Sequence, residues 1–180
     1  MPVTRLAARS MLAVAVVAAM GLGAPQAQAD ETGEGAAVEI SAGADAATRS
    51  VAAADPAAVK AAAVVCGNGY ILENAFRLPD ASNRLGTLFT YRIPSPDNIP
   101  DNDPTCAIFD NNTSGSKWMK LKLCSNWIAD GCAEDSGNFS SYAGPVYRAR
   151  GGCGKVYAIM RTSAGGTVLI DAIRNATNCD

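Results

Sequence analysis

The chain predicts an all-β domain, a small disulfide-stapled antiparallel sandwich or barrel, with a disordered N-terminal tail. Three observations carry that prediction. Residues 117–123 alternate, placing Met119, Leu121 and Leu123 on one face and Trp118, Lys120 and Lys122 on the other, which is the period of a half-buried strand. The apolar runs 156–160 and 167–170 flank Ala164-Gly165-Gly166, a hairpin signal. All six cysteines fall in the last 117 residues, where they read as staples for a small core.

The first element is an address label. Arg5 and Arg9 precede an apolar run over residues 11–23, and Ala27-Gln28-Ala29 closes it with small residues. That order is the pattern of a secretory signal peptide over residues 1–29. The run is shorter than the roughly 20 residues needed to span a bilayer, so no transmembrane anchor is expected in the mature chain.

Residues 30–63 are a different material. Fourteen of these 34 residues are Ala, none is aromatic, and six acidic residues stand against two basic ones. Such a composition predicts a disordered linker or pro-segment, because it offers little apolar surface to offset chain entropy. One local exception is expected. Asp55-Pro56 reads as a helix N-cap and first turn, residues 57–65 are mostly good helix formers, and Gly67 is placed to stop the run.

The domain is expected over residues 64–180, where 11 acidic and 11 basic residues balance. Further strands are predicted over 70–76, 85–93, 106–109 and 142–148, with Pro145 demoting the last to an edge or a bent strand. Four prolines and three aspartates over 94–104 predict a stiff surface loop. Six cysteines allow fifteen pairings. Cys124 and Cys132 are the favoured partners, since they bracket a short polar turn containing Gly131. Cys153 and Cys179 flank the terminal hairpin, which leaves Cys66 with Cys106. A thiolate metal cluster is disfavoured, because close C-x-x-C pairs are lacking.

The residue inventory excludes whole classes of chemistry. With no histidine there is no imidazole base and no Cys/His zinc site. A net charge of −2 argues against nucleic-acid binding, which needs a basic patch. Two acidic clusters, Asp97/Asp101/Asp103 and Asp130/Glu134/Asp135, raise a hard-cation site or a carboxylate pair for glycoside cleavage. Asp101-x-Asp103 mimics the start of a calcium loop but lacks its Gly and twelfth-position Glu, so solvated turn residues are the expectation. No cofactor or metal ligand set is assigned. The candidate ligand strip is Lys117, Trp118, Lys120 and Lys122, a basic-aromatic run suited to a polyanion or a sugar ring.

Two stretches carry a family resemblance. One is Cys66-Gly67-Asn68-Gly69-Tyr70; the other is Asp135-Ser136-Gly137-Asn138-Phe139-Ser140-Ser141-Tyr142-Ala143-Gly144-Pro145-Val146-Tyr147, followed by Cys153. Together they resemble the spore-associated protein A family of small secreted actinobacterial proteins. The chain departs from that pattern in its proline-aspartate loop, its extra pair Cys124 and Cys132, its acidic tail, and Gly154-Lys155-Val156-Tyr157 after Cys153. The resemblance implies an exported protein found with the spore or cell envelope, and it transfers no active site. On the residues alone, Asp135-Ser136-Gly137 is turn chemistry and Gly144-Pro145 bends a strand near a sheet edge.

The resulting expectation is a secreted, non-catalytic protein of the spore or cell surface, structural or polymer-binding, with spore coat or cell-wall polymer as its partner. The alternative is a secreted effector, meaning a protease inhibitor or an antimicrobial protein, acting through an exposed loop such as 93–104. A hydrolase using paired carboxylates is the third and weakest reading.

Overall fold

In the computed structural model, which describes residues 37–179, the chain forms two helices and then eight strands. The expected signal peptide, and residues 30–36 of the expected linker, lie outside the described residues. The helices are α1 (Ala46–Ala54) and α2 (Pro56–Cys66). The strands are β1 (Ile71–Pro79), β2 (Arg84–Arg92), β3 (Thr105–Asn111), β4 (Lys117–Cys124), β5 (Cys132–Phe139), β6 (Tyr142–Arg148), β7 (Lys155–Arg161) and β8 (Val168–Asn175). They make two antiparallel four-stranded sheets, β1-β2-β3-β6 and β5-β4-β7-β8, which pack as a sandwich and do not close into a barrel.

The folded unit begins earlier than the composition predicts. Residues 37–179 fall in one unit, so the described part of the expected linker belongs to the domain rather than to a disordered tail. Asp45 caps α1, its carboxylate accepting from the Thr48 amide at 2.6 Å. Asp55 ends α1 and caps α2, with Pro56 in the first turn, and Gly67 closes α2 at φ 101°. The second helix thus runs over nearly the span its caps predict; the first has no such signal beyond Asp45. What orders this alanine-rich segment is the sheet beneath it. Small side chains let a helix lie close to a strand surface, and Val51, Ala52, Val59 and Ala62 bury against Leu72, Ala75, Phe89, Tyr91 and Ile108. Polar anchors fix the layer. The Ala75 amide donates to the Thr48 hydroxyl at 3.1 Å, the Tyr91 hydroxyl donates to the Val59 carbonyl at 2.7 Å, and Ile40 pairs in parallel with Leu72.

The first sheet is therefore buried on both faces. Leu88, Ala107 and Phe109 face the second sheet, whereas Phe89, Tyr91, Cys106 and Ile108 face the helices. A strand covered on both sides reads as a continuous apolar run, as residues 105–109 do. The second sheet buries one face only. Met119, Leu121, Leu123, Val156, Ala158, Met160, Ile170 and Ala172 fill the space between the sheets, and the alternate residues face outward. Cys66 is bonded to Cys106, Cys124 to Cys132, and Cys153 to Cys179. The first ties α2 to β3, the second joins opposed residues of β4 and β5, and the third holds the segment after β8 to the β6–β7 loop.

One local expectation is overturned. Asp135-Ser136-Gly137 forms no turn; it lies inside β5, paired with residues 119–121 of β4. The turn falls at Ser140 and Ser141 instead, where the chain passes from the second sheet to the first. Gly144 does carry positive φ, at 101°, and with Pro145 it sits at a register shift in β6, the edge strand of the first sheet.

Candidate functional site

The outer face of the second sheet is built by alternation and register. Trp118, Lys120 and Lys122 point outward from β4 because their neighbours Met119, Leu121 and Leu123 are fully buried. Opposite them on β7 stand Arg161, Ile159 and Tyr157, and on β5 stand Asn138, Ser136 and Glu134. Asp171 and Ile173 continue the face on β8, with Ile173 more than half exposed. Cations lie beside the rings: the Arg161 guanidinium is 5.8 Å from the Trp118 centroid, and the Lys122 ammonium is 5.6 Å from that of Tyr157. Lys120 pairs with Glu134 at 2.7 Å. The face is half-polar and aromatic at two points, an arrangement in which sugar rings can stack on the aromatics and charged groups can meet the ammonium ions.

Lys117 does not belong to this strip. It shares the parity of Met119, so it lies on the other side of β4, and its ammonium donates to the Ser114 carbonyl at 2.7 Å. Tyr157 and Arg161, conversely, join the face only through strand pairing, so the linear sequence of β4 gives no sign of them.

The acidic clusters have protein partners. Asp103 departs from the solvated-turn expectation: it is 1% exposed, bonds Arg92 at 2.7 Å, and accepts from the Ser95 amide. Asp97 organises its own loop, accepting from the Ser95 hydroxyl, the Ile99 amide and Asn102, and these hydrogen bonds lower its pKa, Ser95 most of all. Asp101 takes a long contact from Asn126 at 3.5 Å. Asp130 takes two hydrogen bonds from Arg150, which lower its pKa. Asp135 accepts from the Gly144 amide at 2.7 Å. Asp101 also lies near Cys153 and Cys179, but those sulfurs are bonded to each other and are not free to ligate a metal.

The two motif stretches meet in space. The rings of Tyr70 and Tyr147 lie 6.2 Å apart, and the Tyr147 hydroxyl donates to the Val65 carbonyl at 3.0 Å. Burial and the neighbouring Tyr147 push the Tyr70 phenol pKa up. Asp135 and Gly144 join β5 to β6 at the corner between the sheets, and a Cβ on Gly144 would come within 2.9 Å of the Ala107 carbonyl. Phe139 packs against the core, its ring 3.5 Å from where a Gly137 Cβ would stand, and Tyr142, Ala143 and Val146 belong to β6. Cys66 ends α2, and Gly67 and Gly69 take positive φ just before β1. These contacts give the motif a structural account, as the stitching of one corner.

The loop between β4 and β5 carries no sequence signal beyond its two cysteines, Gly131 and Asp130, yet the fold builds it firmly. The Cys124–Cys132 bond brackets it, Arg150 stacks 4.8 Å from the Trp127 centroid, and Ile128 is 97% exposed. No protein family, no curated protein and no solved structure matches the chain.

Proposed function

We propose that the protein is exported and acts without catalysis at the spore or cell-envelope surface, where it binds a polymer through the outer face of β5-β4-β7-β8. The observation that carries this reading is the pair Trp118 and Tyr157, both half-buried on the outer face of the second sheet and each beside a cation. Tyr157 stands opposite Lys122, four residues along β4 from Trp118, a separation of about 13 Å on a strand. That spacing suits a polymer chain better than a single sugar. Three disulfides fit an oxidising, extracellular setting. Among the described residues, no helix is long and apolar enough to cross a membrane. The resemblance to the spore-associated protein A family supports the same surface.

Co-sedimentation with purified peptidoglycan and with spores tests the reading. Retention on either, reduced about fivefold in Trp118→Ala and in Tyr157→Ala, is the expected result, since a lost stacking contact is worth on the order of 1 kcal/mol. Absence of the wild-type protein from both pellets removes it.

A secreted effector is the second reading, favoured by Ile128, which a disulfide-bracketed loop presents wholly to solvent. A protease-inhibition panel, with Ile128→Asp as the control, decides that alternative.

A further inference from the structure

A cleft of about 220 Å³ opens where α1 crosses the free edge of β1, beside the end of β8. Its wall is apolar: Ala47 and Val51 from α1, Ala75 and Phe76 from β1. Two guanidinium groups, Arg77 and Arg174, line it together with Ser50 and Ala81, and no carboxylate does. Neither arginine has an ion-pair partner among the described residues. Arg174 spans the Phe76 ring at 5.6 Å and donates one hydrogen bond, to the Ile173 carbonyl. Arg77 is the stranger case. Its Nε is shut off from solvent and has no hydrogen-bond partner, whereas Arg92 on the neighbouring strand meets two carboxylates. An unpaired donor on a charged group is costly, and a charge-assisted acceptor is what relieves it.

We propose that this cleft binds a small organic carboxylate with an apolar body. The carboxylate pairs with Arg77 and Arg174, and the body lies against Val51, Ala75 and Phe76. Planar guanidinium groups match a carboxylate's two oxygens. A phosphate monoester fits less well, since beyond the two guanidinium groups the lining offers its third oxygen only the Ser50 hydroxyl. The volume holds roughly seven waters, which sets the ligand at about seven to ten non-hydrogen atoms. This site is separate from the polymer face on the second sheet, so either can fail without the other.

Titration of the full chain with hexanoate and with phenylacetate, followed by amide chemical shifts, tests the proposal. At least one probe is expected to shift Ala75, Phe76 and Arg77 saturably, with a dissociation constant on the order of 0.1–1 mM for so small a ligand. Hexanol keeps the body without the charge and acetate the charge without the body; each is expected to bind at least about tenfold more weakly. Arg77→Met and the more peripheral Arg174→Met are expected to weaken binding by about tenfold or more. The proposal is overturned if neither probe gives a saturable shift at residues 75–77 up to about 10 mM. It is equally overturned if hexanol matches hexanoate, or if Arg174→Met binds like the wild type. Should Arg77→Met fail to fold, Arg174→Met and the hexanol comparison decide the matter.

Discussion

Arg92 holds Asp103 at 2.7 Å, and the same guanidinium holds Glu73 at 2.7 Å. Both carboxylates are almost wholly buried, so one arginine on β2 compensates two charges brought in by the proline loop and by β1. Arg92 also donates to Ser41 at 3.2 Å, which fastens the segment before α1 to the same node.

Arg92→Met leaves two sheltered carboxylates without their cation. The expected loss of stability is about 3–5 kcal/mol, the range for breaking a buried pair from one side. Urea unfolding at neutral pH measures it, and a loss below about 1 kcal/mol would show that solvent reaches Glu73 and Asp103 after all.

The three disulfides are expected to differ in worth by the loops they close. Their sequence separations are 40, 26 and 8 residues for Cys66–Cys106, Cys153–Cys179 and Cys124–Cys132. Paired Cys→Ser replacements should cost about 3.9, 3.5 and 2.5 kcal/mol in that order, by the chain-entropy relation. Denaturant midpoints of the three double variants give the ranking.

Asp110 titrates abnormally. Burial raises its pKa to about 6, with Asp55 adding to the rise and Arg84 opposing it. A carboxyl whose folded pKa lies above its unfolded value keeps its proton longer when folded. The folded state therefore binds more protons between about pH 4 and pH 6, and stability from this group falls as pH rises through that window. Asp110→Asn removes the penalty. Its advantage over the wild type should be near zero at about pH 4 and reach about 2 kcal/mol by pH 7, allowing for partial solvent screening. Parallel unfolding curves across that range check the sign; a constant difference contradicts it.

Gly152 and Gly115 separate crowding from backbone conformation. A Cβ on Gly152 would stand 1.7 Å from the Pro100 carbonyl oxygen, whereas one on Gly115 meets nothing within 4 Å although φ is 72°. Gly152→Ala should cost about 3 kcal/mol or more. Gly115→Ala should cost about 1–2 kcal/mol through its left-handed backbone alone. Thermal unfolding of the two variants side by side tests the contrast.

Legibility from sequence follows how each element buries its residues. β4 is readable because its inward face, Met119, Leu121 and Leu123, alternates cleanly with polar neighbours. β5 is not: its inward residues are Ala133, Asp135, Gly137 and Phe139, so no apolar period marks it. Likewise α1 buries Thr48, Val51 and Ala52, and side chains that small leave little amphipathic signal. Asp103 reads as turn chemistry because its partner Arg92 lies across the loop, at the end of β2. At the candidate site, alternation alone places Trp118, Lys120 and Lys122 on one face. Tyr157 and Arg161 join them through strand register, which no local pattern encodes.

The helical layer sets a limit on trimming. A cut near residue 63 would strip Val51, Val59 and Ala62 from Phe89, Tyr91 and Ile108, and would take away the carbonyl that receives the Tyr91 hydroxyl. Only the Cys66 disulfide and the Tyr147 hydroxyl on the Val65 carbonyl would remain to hold the end of α2. Ile40 already pairs with Leu72, so an N-terminus compatible with this packing lies before residue 40. Any N-terminal trimming that preserves this packing therefore has its downstream boundary set by the sheet, ahead of Ile40.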